Sequence, residues 1–238
     1  MPDVDHYRGV LAEYGLGVAC STGLTPSLDV SSPDRAVRRA GIAHLVEALE
    51  VASALGSPVL GGVTYAPWLH FPDDAELGPF ADRSATSLAE VARVAEGLGL
   101  VLCLELLNRF ETFMLNTVDQ GLGFLELVDH RSVRLELDTF HMNIEEDDLA
   151  AAIRLAGDRL GHFQCAANNR RAPQYGRIDW GEVRAALDDV AYDGWVVFET
   201  FPNPAVEVGR TTYAWRELTA DADNDASAAA TLLRERLA

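Results

Sequence analysis

The chain has 238 residues, 48% of them hydrophobic, and a formal net charge of −18. That length suffices for one large α/β domain with a sizeable core, and no apolar run approaches the length of a membrane span. The acidic balance argues against nucleic acid as a partner, because phosphate binding needs a basic surface.

In chain order, Asp3 to Tyr14 reads as the end of a helix closed by Gly15, and residues 16–20 as a short strand. Ser32-Pro33 reads as a helix start, with serine as N-cap and proline in the first turn. Apolar residues then recur at helical spacing to Leu55, and Gly56 closes the helix. Residues 58–63 form the next strand, followed by the aromatic loop Tyr65-Ala66-Pro67-Trp68 and an acidic loop over 72–79. A helix is predicted over 83–98 and a strand over 100–107, and Asn116-Thr117 caps a helix that runs through Leu127. Strands are predicted over 133–137, 159–165 and 195–198, and helices over 146–155 and 181–190. A long polar loop spans 166–179, and the tail from Ala205 to Leu237 reads as mostly helical with an acidic break at 221–225.

Strands and helices alternate throughout, and the strands are apolar on both faces, which predicts a parallel sheet covered by helices. Polar and acidic residues gather just after the strand ends, which favours an α/β barrel with its site on that face. An open doubly wound sheet is the alternative, but no GxGxxG follows the first strand. No repeat or low-complexity linker suggests a second domain, so residues 1–238 are expected to form one.

The three cysteines, Cys20, Cys103 and Cys165, all fall in predicted strands and form no CxxC pair. Together with a polar start that does not read as a signal peptide, they suit a reducing cytoplasm better than a disulfide framework. The basic residues other than histidine are all arginine, which removes Schiff-base catalysis and a P-loop lysine.

Four strand-end positions carry the chemistry: Glu105, Asp138, Gln164 and Glu199. Glu105 lies inside an apolar run, where burying a carboxylate costs several kcal/mol unless something compensates. Each acid taken alone has a structural reading, as a salt-bridged residue, a helix cap or a turn residue. Gathered at one sheet end, two glutamates and an aspartate cannot all ionise comfortably without a cation. Oxygen ligands of this kind suit manganese or magnesium, with cobalt possible. Two glutamates on opposite sides of a sugar could move a proton off one face and onto the other.

Four segments carry a resemblance: Glu105-Leu-Leu-Asn-Arg-Phe-Glu111, Leu137-Asp-Thr-Phe-His-Met-Asn-Ile-Glu-Glu146, Leu160-Gly-His-Phe163 and Tyr192-Asp-Gly-Trp-Val-Val-Phe-Glu199. They closely resemble the ketose 3-epimerases, the D-tagatose and D-allulose (psicose) 3-epimerases within the xylose-isomerase-like barrels. The resemblance implies a (β/α)8 TIM barrel and epimerisation at carbon 3 through an enediolate. It matches Glu105, Asp138 and Glu199 to three of four metal ligands, and Glu105 and Glu199 to the acid/base pair. It matches Glu111, His141 and Arg170 to residues that hold the substrate's oxygens, and it places Trp68 near the sugar. The implied ion is manganese or cobalt, and the implied assembly is a homodimer or homotetramer.

The sequence departs from that pattern twice. Gln164 stands where the family's fourth ligand is a histidine, in His162-Phe163-Gln164. A glutamine oxygen is a weaker ligand for transition metals than imidazole, which shifts preference toward magnesium or manganese. The barrel's first two βα units, about 50 residues, have no counterpart, leaving about six strands of the eight. Other readings keep the same barrel: another sugar isomerase, a dehydratase, a C-glycoside-cleaving subunit, or a non-catalytic sugar-binding homologue.

Overall fold

Branched apolar residues recur in the strands, and Gly15, Gly56 and Gly99, all left-handed, close the first three helices. In the computed structural model, the protein is described at residues 3–73, 77–201, 203–205 and 207–237. The chain divides into two compact units, Met1–Glu136 and Leu137–Ala238. Its six parallel strands stand in chain order in the sheet.

The first unit opens with α1 (Val4–Tyr14), a complete short helix rather than the end of one. Asp3 caps it by accepting from the His6 amide at 3.0 Å, and Gly15 closes it at φ 62°. Strand β1 (Cys20–Ser21) is shorter than expected and starts only at Cys20. Helix α2 (Arg35–Leu55) begins two residues later than the Ser-Pro signal suggests. Asp34 is its N-cap, accepting from the Ala36 amide at 2.7 Å, while the Ser32 hydroxyl accepts from Asp34 N–H at 3.1 Å and shapes the turn before it.

Strand β2 (Val59–Gly61) leads to α3 (Gly78–Leu98), which starts five residues before the predicted Arg83, with Pro79 in its first turn. Of the acidic loop expected over 72–79, residues 74–76 lie outside the described residues. Strand β3 (Val101–Glu105) and α4 (Val118–Val128) follow the sequence reading closely. Thr117 and Gln120 form a reciprocal capping box at the start of α4.

The register Cys20↔Leu60, Val59↔Val101 and Leu102↔Val133 ends at Glu105↔Glu136, with Glu136 in β4 (Val133–Asp138). Leu45 and Leu49 of α2, Leu88 and Val91 of α3, and the strand residues Leu102, Leu104 and Leu135 have no exposed surface. Each such side chain contributes roughly 1.5–3 kcal/mol of burial.

In the second unit the segment after β4 forms a helix that the sequence reading does not include, α5 (Thr139–Glu145). Asp138 caps α5 by accepting from the Phe140 amide at 2.9 Å. The next helix, α6 (Leu149–Ala156), starts at the cap Asp148 rather than at Glu146. Strand β5 (Leu160–Cys165), α7 (Trp180–Asp189), β6 (Val196–Phe198), α8 (Glu207–Thr211) and α9 (Ala222–Leu237) complete the chain.

The acidic stretch 221–225 starts α9 instead of breaking the tail. Asp221 accepts from the Asn224 amide at 3.0 Å, and Asp223 and Asp225 lie in the first turn, where the helix dipole favours negative charge. Among the described residues, no helix is long and apolar enough to cross a membrane.

Candidate active site

Each predicted site residue is placed by a strand end or by the segment that follows it. In the first unit Glu105 is the last residue of β3 and is 8% exposed. Its amide donates to Gly62 O at 3.1 Å, and its carbonyl accepts from the buried Tyr65 hydroxyl at 2.9 Å. The loop beyond β3 presents Glu111. Both of its carboxylate oxygens are engaged: Trp68 Nε1 donates to Oε2 at 3.0 Å and Asn108 Nδ2 donates to Oε1 at 2.9 Å. The two predicted substrate-binding residues of this unit, Trp68 and Glu111, are therefore in direct contact.

Four residues meet in the second unit: Asp138, His141, Arg170 and Glu199. Asp138 closes β4 with no exposed surface. Its Oδ1 caps α5, while Oδ2 accepts from Arg170 Nη1 and lies 3.8 Å from His141 Nε2. One turn of α5 thus brings the histidine back beside the acid that starts the helix.

Arg170 also reaches Glu199 Oε2 with Nη2, at 2.6 Å. Its guanidinium lies 4.6 Å from the centre of the Phe140 ring and 5.0 Å from that of Phe201. The Thr200 hydroxyl donates to Arg170 O at 2.8 Å and holds its backbone, which sits at φ 62°. Glu199 follows β6, and its amide donates to Cys165 O at 3.2 Å.

Burial, and then the Arg170 charge, hold His141 well below the usual histidine pKa, so its imidazole is neutral at pH 7. On β5, Gln164 pairs in register with Val197 and is 6% exposed. His162, two residues earlier on the same face, is 5% exposed, and its Nδ1 has no hydrogen-bond partner among the described residues. Burial lowers its pKa to about 4. The thiols of Cys103 and Cys165 are pushed well up, chiefly by burial, and neither is a thiolate at neutral pH.

Sequence reading missed a buried acid in the sheet. Glu136 has no exposed surface and accepts from the Gly62 amide at 2.9 Å. Unlike Glu105, it does not stand alone in an apolar run: Arg134 and Asp138 alternate with it along β4.

Three comparisons fit this geometry. The family model described as xylose isomerase-like TIM barrel matches residues 2–222. A D-psicose 3-epimerase of Ruminiclostridium cellulolyticum is 40% identical over 213 residues, which is 88% of this chain and 73% of the relative. A ketose 3-epimerase of Arthrobacter globiformis is 35% identical over 237 residues, which is 99% of this chain and 82% of the relative. Among solved structures, D-psicose 3-epimerase with D-tagatose from Clostridium cellulolyticum H10 superposes with a TM-score of 0.94 at 37% identity, over 98% of this chain and 83% of that one.

Proposed function

Since the chain belongs to the xylose isomerase-like TIM barrel family and its relatives are ketose 3-epimerases, we propose that it is a divalent-metal-dependent ketose 3-epimerase. The observation that carries this reading is the set of acids at strand ends: Glu105 closes β3, Asp138 closes β4 and Glu199 follows β6.

The donor chemistry suits a hard or borderline cation. Glu105, Asp138 and His141 are three buried side chains of metal-ligating type, and Gln164 and Glu199 offer further oxygens. Glu105, Asp138, Gln164 and Glu199 are the ligands we assign, and His141 lies beside Asp138. Manganese is the ion proposed, because three carboxylates and an amide oxygen favour it over softer metals. When bound, the ion supplies Lewis-acid stabilisation of the negative charge that develops on the sugar oxygens.

The remaining steps fall to the chain's own residues. One of Glu105 and Glu199 removes the proton from carbon 3, and the electron pair flows toward the carbon 2 carbonyl to give an enediolate. The other returns a proton to the opposite face of carbon 3 and restores the ketone. Neutral His141 and cationic Arg170 orient sugar oxygens and donate to them, and Glu111, fixed by Trp68 and Asn108, accepts from a hydroxyl.

The deciding test is deuterium incorporation at carbon 3 of D-fructose and D-tagatose, followed by proton NMR in heavy water with manganese and again with chelator. Metal-dependent incorporation that Glu199→Gln abolishes without loss of fold is the expected result. Retained turnover in that variant would remove Glu199 from the pair. A second reading, a non-catalytic sugar-binding homologue, is favoured by Gln164 alone. It predicts ketose binding with no exchange in the wild type and its appearance in Gln164→His.

A further inference from the structure

The buried carboxylate of Glu136 has no part in the mechanism above, yet the sheet is built to receive it. Glu136 pairs in register with Glu105. Paired residues of neighbouring strands point to the same face of the sheet. The Glu136 side chain reaches past β3 to the end of β2, where its Oε2 accepts from Gly62 N–H at 2.9 Å. Room for it exists only because residue 61 is glycine: a Cβ there would lie 2.1 Å from that same oxygen.

Gly62 is itself committed to this geometry. It sits at φ +100°, where a side chain is strained, and a Cβ would lie 2.2 Å from Thr22 O. Its carbonyl accepts from the Glu105 amide at 3.1 Å and from the Thr64 amide at 3.0 Å. The Leu106 amide in turn donates to Glu136 O at 3.1 Å. A relay of hydrogen bonds therefore runs from the Glu136 carboxylate through Gly62, whose N–H and C=O belong to successive peptide groups, to the backbone of Glu105, and a second bond ties Leu106, just after β3, back to Glu136.

A leucine at position 136 would fill a sheet interior at no desolvation cost, whereas a buried carboxylate must be compensated. Stability alone does not call for an acid here. We propose that Glu136 is a positioning residue, which fixes the Glu105 backbone, and with it the Glu105 carboxylate, through the two peptide groups that flank the Gly62 Cα. The inference rests on the reading of Glu105 as one of the two proton-transfer acids. The relay does not depend on that reading and can be measured separately.

Two variants separate the roles of the acid. Glu136→Gln keeps an oxygen that accepts from Gly62, and Glu136→Met keeps the length and removes the acceptor. Amide hydrogen exchange reads the relay directly. Glu136→Met is expected to speed exchange at Gly62 and Glu105 by about tenfold or more, with amides of α6 unchanged, and Glu136→Gln to keep both protected. In carbon 3 exchange assays with manganese, Glu136→Met is expected to lower kcat by about tenfold with KM within about twofold, and Glu136→Gln to restore it.

Wild-type protection at both amides in Glu136→Met would overturn the proposal, and so would a Glu136→Gln variant as impaired as Glu136→Met. Should Glu136→Met fail to fold, loss of protection at Gly62 and Glu105 in folded Glu136→Gln is the overturning result. If the wild type exchanges no carbon 3 proton, the epimerase reading falls, and the amide measurements still decide the role of Glu136.

Discussion

Trp68 donates its indole Nε1–H to Glu111 Oε2 at 3.0 Å, linking the loop after β2 to the loop after β3. With Asn108 holding the other oxygen, the carboxylate of Glu111 has one orientation. A hydrogen bond to a charged acceptor is worth about 1.5–3 kcal/mol, toward the low end where water reaches the pair. Trp68→Phe keeps most of the ring and deletes the donor. It is expected to raise KM for the ketose about tenfold while changing kcat by less than about threefold, because Glu111 is assigned to binding and not to proton transfer. An equal fall in kcat at unchanged KM would place Glu111 in the chemistry instead.

Arg170 joins two carboxylates and two aromatic faces. Its two terminal nitrogens reach Asp138 and Glu199, and its plane lies against Phe140 and Phe201. Lysine carries the same charge but has neither the fork nor the flat surface. Arg170→Lys is therefore expected to lower kcat/KM by about 100-fold, as the loss of two charge-assisted hydrogen bonds implies. Activity within about threefold of wild type would show that charge alone suffices at this position. Steady-state kinetics on matched preparations decides between the two.

Elements whose signals are local were legible in the sequence. The Thr117 helix cap, Gly15 and Gly56 as helix closers, and the apolar strands β3 and β4 appear where composition and spacing put them. Helix α5 was not legible, because Asp138 serves at once as the last strand residue, the helix cap and a site acid, so the segment read as a strand end and not as a helix start. Glu136 was missed for a related reason. Arg134, Glu136 and Asp138 alternate with apolar residues in β4, and such alternation ordinarily marks a face open to water. Here Arg134 is exposed while Glu136 and Asp138 are fully buried. The Trp68–Glu111 contact depends on how two loops fold, which no periodicity records.

His162 makes the metal-free protein sensitive to acid. Its pKa is lowered to about 4 from an ordinary 6.5, because the buried ring is costly to charge. Above pH 6.5 it is neutral in both folded and unfolded chains and contributes nothing. As pH falls from 6.5 toward 4 the unfolded chain takes up the proton first, so stability drops, and below about 4 the loss levels off. The shift corresponds to about 2 kcal/mol at pH 5. His162→Leu also removes a buried Nδ1 that has no partner among the described residues, so at pH 7 it is expected to melt near wild type or slightly above. Denaturant unfolding with chelator at pH 7 and pH 5 tests this: the variant should gain about 2 kcal/mol on wild type between the two. Parallel pH profiles would show that the ring is not held neutral.

Gly61 and Glu136 should be strongly coupled. Gly61 has an ordinary backbone conformation, so alanine there is strained by its neighbour alone. Its Cβ would meet Glu136 Oε2 at 2.1 Å and Cδ at 3.1 Å, forcing the carboxylate off the Gly62 amide and leaving two buried polar groups without each other. Overpacking and the broken charge-assisted bond together predict a loss of about 2–4 kcal/mol for Gly61→Ala. Glu136→Ala empties the same space, and there the added methyl meets no oxygen. In that background Gly61→Ala should cost no more than about 1 kcal/mol, giving an interaction energy of about 1–3 kcal/mol in a double-mutant cycle. Urea unfolding of the four proteins measures it. If the two substitutions add to within about 0.5 kcal/mol, the close approach of Gly61 to the Glu136 carboxylate does not govern this part of the sheet.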